Sequence, residues 1–165
     1  MLERRRHLLL AMLGAPGLVF AQLNARDQRL PALVNLRETT ARIARYRAPL
    51  LVLFSTPGCP YCHEVRTNYL APRVAEQARE LTPLLLVHET DITSTQIIID
   101  LSGAPITESA FAARFNVRVV PVVALFDQRL QSLGEPLVGL DRSGFYEAYL
   151  SSAIDQARKR LRSTT

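Results

Sequence analysis

Residues 50–65 read LLVLFSTPGCPYCHEV. The run 50–54 is short, wholly apolar and followed by turn residues, which predicts a buried strand. Ser55, Thr56, Pro57 and Gly58 end that strand. Cys59, Pro60, Tyr61 and Cys62 come next and open a segment that reads as helix. Strand, loop, Cys-X-X-Cys and helix, in that order, put Cys59 at a helix N-terminus. Unpaired backbone N–H groups and the helix dipole favour negative charge there. Cysteines in such motifs ionise with pKa values of roughly 3.5–7.5, against about 8.5 for a free thiol. The thiolate is the species that attacks disulfides. Cys62 lies one helical turn on, close enough to close an intramolecular disulfide. Pro60 suits the first helical turn, where its missing N–H would have had no partner anyway.

The chain of 165 residues is 48% hydrophobic, which predicts one domain with a proper core and not a disordered chain. No run of about 18 apolar residues is present, so no stable membrane span is expected. Residues 1–21 do not read as fold. Arg4, Arg5, Arg6 and His7 form a basic start, residues 8–20 are mostly apolar, and Val19-Phe20-Ala21 suits a signal peptidase. The expectation is a signal peptide over residues 1–21 and a periplasmic protein beginning near Gln22; a buried N-terminal helix is the alternative. Arg5-Arg6 followed by His7, Leu8 and Leu9 also loosely fits a twin-arginine signal. Cleavage removes three arginines and Glu3, taking the formal charge from +5 to +3. So mild a basicity gives no basis for a nucleic-acid partner. Both methionines, Met1 and Met12, leave with the signal.

Residues 22–34 read as a polar, loose lead-in to a domain over residues 35–162. From Asn35 to Arg47, Leu36, Ile43 and Tyr46 recur at helical spacing, predicting a surface helix that ends before Pro49. After Cys62 the helix carries Val65 and Tyr69 on one side, breaks at Pro72 and resumes to about Glu80. Residues 84–87 predict a second buried strand, with His88 at its end. Residues 97–106 suggest a small hairpin-like excursion. Thr107 can cap a short helix on which Phe111 and Phe115 share a face, and Asn116 suits a left-handed C-terminal turn. Residues 119–126 read as a strand, although Pro121 cannot donate to a ladder and marks either an edge or a first paired residue. Leu137-Val138 predicts a short last strand ending at Gly139. A final helix begins at Asp141 or Ser143, with Tyr146, Tyr149, Leu150, Ala153, Ile154 and Leu161 inward. Arg158, Lys159, Arg160 and Arg162 near its end suit a helix C-terminus. Strands alternating with helices predict an α/β fold.

A Cys-X-X-Cys admits several chemistries. A zinc site needs two further ligands, and His63 and His88 lack the short His-X3–5-His spacing. Cys59-Pro60-Tyr61-Cys62-His63 also fits the attachment pattern of c-type haem. Against haem, the mature chain holds no methionine for a sixth ligand, and the motif follows a strand. A structural disulfide in a redox-inert binding module is a third reading, but so small a loop constrains the unfolded chain very little.

The stretch resembles the active site of thioredoxin-fold thiol–disulfide oxidoreductases, with the Pro60-Tyr61 spacer that glutaredoxins also use. The element order is similar to the thioredoxin fold, a single α/β domain with a central mixed β-sheet flanked by helices. More narrowly, the chain resembles periplasmic thioredoxin-like proteins of the sulfur-oxidation (Sox) group and the reducing domain of membrane thiol transporters. Ala71-Pro72, the excursion, Phe111 with Phe115, Asn116-Val117 and Val120-Pro121 carry that resemblance. It implies that Cys59 and Cys62 are catalytic and that Pro60, Tyr61, Val120 and Pro121 bind substrate. Pro121 would be a cis proline facing the disulfide, turning the backbone of Val120 toward an extended substrate segment; an inconsequential edge proline is the plain alternative. Neither cofactor nor metal is implied. The implied partners are exported proteins with disulfides and a membrane thiol electron carrier, met by a monomer.

One departure matters. Thioredoxins proper carry a buried acid six residues before the first cysteine, and here that position is Leu53. Glu64 is near in sequence but can equally face solvent, and His63 is either a cation near the thiolate or a helix-surface residue. The direction expected is reduction of protein disulfides, with periplasmic oxidation as the rival.

Overall fold

The computed structural model describes residues 29–163. The expected signal peptide and most of the lead-in fall outside the described residues. The elements are α1 (Leu36–Tyr46), β1 (Leu50–Ser55), α2 (Pro60–Glu64), a π-helical turn (Val65–Leu70), α3 (Ala71–Gln77), β2 (Leu86–Asp91), β3 (Ile97–Ile99), β4 (Pro105–Thr107), α4 (Glu108–Arg114), β5 (Val122–Phe126), β6 (Leu137–Val138) and α5 (Tyr146–Ser163). Four strands form a mixed sheet in the order β2-β1-β5-β6. β1 runs parallel to β2 and antiparallel to β5. β3 and β4 form a separate two-stranded hairpin, the excursion expected from residues 97–106.

β1 is apolar because it has no free edge and no free face. All six of its residues are buried, as strands covered on both faces require. Each such aliphatic or aromatic side chain contributes about 1.5–3 kcal/mol by leaving water. Successive residues point to opposite faces. Phe54 packs against Phe111 of α4, ring centroids 5.9 Å apart, and against Phe126 at 6.5 Å. Phe115 closes the cluster, 5.2 Å from Phe111 and 4.5 Å from Phe126. Thr107 caps α4 by accepting the Ala110 N–H, and Asn116 takes the left-handed conformation at φ 54°. On the opposite face, Ser55 reaches Glu89 and, through it, Arg66 of the π turn. The helix after the cysteines and α4 therefore cover opposite faces of one sheet.

Several boundaries differ from the sequence expectation, each for a local reason. The helix does not break at Pro72. It widens into one π turn, in which the Ala71 N–H donates to the Arg66 carbonyl. The altered hydrogen-bond register accommodates a residue with no N–H and a ring that crowds the carbonyl four back. The second strand begins at Leu86, and Leu84 is exposed. β2 continues through His88, Glu89 and Thr90, whose polar side chains find partners. Pro121 precedes β5 rather than lying within it, and Val119 is exposed. Asp141 does not start the last helix; its carboxylate accepts the N–H groups of Ser143 and Phe145 in a turn, so α5 begins at Tyr146. The buried stripe of α5 is Tyr146, Leu150, Ile154, Ala157 and Leu161. Tyr149 faces outward. The lead-in is not loose over its described part, because Leu30 and Leu33 are buried and Leu33 N–H donates to the Glu89 carbonyl.

His88 sits within β2 opposite Val52, not at the strand's end, with Nδ1 3.0 Å from the Ala32 carbonyl oxygen. Burial pushes its pKa down, the Arg42 charge adds to this, and the carbonyls of Ala32 and Pro31 oppose it. The folded chain thus binds this proton less readily than the unfolded chain, whose histidine titrates near 6.5. Stability is fully present above that pH and falls as pH drops below it, by at most about 1.4 kcal/mol per pH unit from one group. Urea midpoints at pH 7.5 and 5.5 check this: the drop is expected to be smaller in His88→Gln than in the wild type. Equal drops would count against the assignment.

Candidate active site

The end of β1 delivers the chain into the loop Thr56-Pro57-Gly58, where Gly58 adopts φ 72°, a conformation open to glycine. Cys59 then becomes the N-cap of α2, with Pro60 in the first turn. Its Sγ accepts a hydrogen bond from the Cys62 N–H at 3.1 Å, and its carbonyl accepts the His63 N–H. α2, the π turn and α3 follow without a gap from Pro60 to Gln77, so their peptide dipoles point at this sulfur. Cys59 and Cys62 form a disulfide with Cα atoms 5.2 Å apart. Their surroundings differ. Cys59 is half-buried, whereas Cys62 is fully buried. Tyr61, between them, is 47% exposed.

The Val120–Pro121 peptide bond is cis. β5 pairs with β1 through Phe54 opposite Val122, so Pro121 lies at the sheet end from which the cysteine loop departs. The Pro121 carbonyl accepts the Gly139 N–H at 2.8 Å. Pro121 is buried, Val120 is half-buried and Val119 is 59% exposed. The residues expected from the sequence thus gather at one end of the sheet. His88 does not join them, and the side chains of His63 and Glu64 are exposed on α2. Among the described residues no group of three or more His, Cys, Asp or Glu side chains could hold a metal ion, and no helix is long and apolar enough to cross a membrane.

One cluster was missed by the sequence reading. Leu53 is buried where an acid stands in thioredoxins proper, and its partner across the parallel ladder is Glu89. The Glu89 carboxylate accepts Ser55 Oγ–H at 2.6 Å and both Nε and Nη2 of Arg66. This bidentate pair holds the guanidinium above its usual pKa, chiefly through the hydrogen bonds to Glu89. It ties the base of the cysteine loop to the helix beyond it. Arg66 stands four residues after Cys62, a spacing visible in the sequence; Glu89 becomes its partner only through the β1–β2 register.

Residues 36–140, well over half of the chain, match the thioredoxin-like domain family. The chain belongs to that family. As a thioredoxin-like protein with a Cys59–Cys62 pair it is a thiol–disulfide oxidoreductase, and membership decides among the readings the motif allowed. Its sheet and flanking helices are the thioredoxin fold. Among solved structures, the chain is similar to the thioredoxin of Fasciola hepatica, at 18% identity and TM-score 0.49, over 78% of this chain and 99% of that one. It is also similar to a Trichomonas vaginalis thioredoxin, at 14% identity and TM-score 0.49, over 79% and 97%. A mutant thioredoxin from Halobacterium salinarum aligns at 21% identity and TM-score 0.47, over 78% and 91%. No curated protein matches the sequence.

Proposed function

We propose that this thioredoxin-like protein is exported to the periplasm, where it reduces disulfides of other exported proteins. The observation that carries the redox reading is the unequal placement of the two cysteines: Cys59 half-buried at the helix N-terminus, Cys62 fully buried behind it. In the dithiol form, the Cys59 thiolate attacks one sulfur of a substrate disulfide. A mixed disulfide forms and the other substrate sulfur leaves as a thiolate, which takes up a proton. Cys62 then loses its proton, attacks Cys59 Sγ and releases the second substrate thiol. Two electrons have passed to the substrate, and the Cys59–Cys62 disulfide remains. A membrane thiol electron carrier returns it to the dithiol by the same exchange in reverse.

Substrate docking falls to Pro60, Tyr61, Val120 and Pro121. Tyr61 and Val119 supply exposed apolar surface, and the backbone of Val120 can pair with an extended substrate segment. The narrower kinship is with Sox-type periplasmic thioredoxins. It is supported by the β3–β4 hairpin and the paired Phe111 and Phe115. Substrates in sulfur oxidation or cytochrome c assembly follow from that kinship.

The test is rapid acid quench of cells followed by thiol alkylation. The pair is expected to be mostly reduced in the cell envelope and to become oxidised when the membrane carrier is deleted. A pair that stays oxidised with the carrier present would favour an oxidant instead.

A further inference from the structure

We propose that the cleft beside Cys59 is a carboxylate-binding subsite, so that this oxidoreductase prefers disulfides flanked by acidic groups. The inference rests on the redox reading above and adds a substrate class to it. The cleft has a volume of about 470 Å³. Pro57 and Gly58 wall it, Cys59 and Pro60 open onto it, and its remaining ionisable side chains are His63 and Arg66. Among the described residues, no carboxylate lines it. Glu89 holds Arg66 from outside the cleft, through Nε and Nη2. Nη1 makes no hydrogen bond among the described residues and is not sealed from solvent. The Arg66 side chain is 22% exposed, in contrast to a freely waving surface arginine.

A planar donor fixed in this way loses little conformational freedom when it binds an anion. Arg66 lies between this cleft and an adjoining one that Glu89, Asp91 and Glu108 line; a substrate carboxylate on the Cys59 side would accept from Nη1 in a charge-assisted hydrogen bond. His63, three residues before Arg66, lies on the same helix side and is exposed. The bare thiolate of Cys59 repels anions, so without such a subsite acidic disulfides would react more slowly than neutral ones. Arg66 reverses that order. Because the site is partly open to water, the preference is expected to be about threefold to tenfold in kcat/KM.

The test uses the full chain, returned to the dithiol by added dithiothreitol with the uncatalysed rate subtracted, and three small disulfides: dithiodiglycolate with two carboxylates, neutral bis(2-hydroxyethyl) disulfide, and cystamine with two ammonium groups. A parallel arm uses disulfide peptides with Glu or Gln two residues from the cysteine. The expected order is carboxylate, neutral, ammonium, shrinking as salt rises from about 50 to about 500 mM, where charges at a solvent-exposed rim are screened. In Arg66→Met/Glu89→Gln, which removes both partners together, the carboxylate-to-neutral ratio is expected to fall to about one or below. Discrimination only among the peptides identifies a polypeptide source; discrimination only among the small disulfides identifies a small acidic thiol. A wild-type ratio at or below one with normal turnover of the neutral disulfide overturns the subsite alone. So does a ratio unchanged by salt or by the double variant. Failure to turn over any of these disulfides overturns the redox reading itself.

Discussion

Replacing Cys62 by serine is expected to leave the protein covalently bound to its substrates. Cys59, the half-buried N-cap residue that lines the adjacent cleft, still attacks and forms the mixed disulfide, but no second sulfur is present to resolve it. Turnover then falls to background, a loss expected to be about a thousandfold or more, since removing one member of a catalytic unit costs nearly as much as removing all. Cys59→Ser loses turnover equally but traps nothing, because Cys62 is buried. Non-reducing gels of cell-envelope fractions, with mass spectrometry of the adducts, separate the two variants. Adducts on Cys62 in the Cys59→Ser variant, with none on Cys59 in the reverse case, would invert the roles.

Phe54→Ala is the substitution expected to cost most in stability. Phe54 is fully buried and touches Phe111, Phe115 and Phe126, rings contributed by α4, its C-terminal turn and β5. Truncation removes the transfer free energy of a large ring and leaves a cavity between elements that a rigid sheet cannot close. The loss is expected to be about 3–5 kcal/mol, a large share of the roughly 5–15 kcal/mol by which domains are stable. Chemical denaturation of the variant beside the wild type measures it. A loss under about 1 kcal/mol would show that the cluster repacks.

Which parts of this molecule were legible follows from how local the cause is. The strand of residues 50–54, the N-terminal placement of Cys59, the Thr107 cap and the left-handed Asn116 are set by neighbours within four residues, and the sequence displays them. The β3–β4 hairpin is visible because a short connection joins its two strands, whose innermost pair is Ile99 and Pro105. Boundaries failed where a side chain competes with the helix or strand pattern. Asp141 reads as a helix start by type, yet it binds two N–H groups of a turn and delays α5 to Tyr146. Pro72 reads as a break, yet the backbone absorbs it by one π turn. The polar residues of β2 escaped notice because their partners, Arg66, Ala32 and Glu108, come from other elements. The Glu89–Arg66 pair is the plainest case. Each residue alone looks like ordinary surface charge, and only the parallel register of β1 and β2 puts the carboxylate beneath the cysteine loop.

A reversible Cys59–Cys62 pair that donates electrons must have a low reduction potential. Equilibration of the purified protein with graded mixtures of reduced and oxidised glutathione, followed by acid quench, alkylation and mass measurement, tests this most directly. The Pro60-Tyr61 spacer resembles glutaredoxins, whose potentials lie at roughly −200 to −230 mV. The expected result is one two-electron transition at or below about −200 mV, with both cysteines alkylated together. A transition near about −120 mV, in the range of a strong periplasmic oxidant, or no exchange at all, would contradict it.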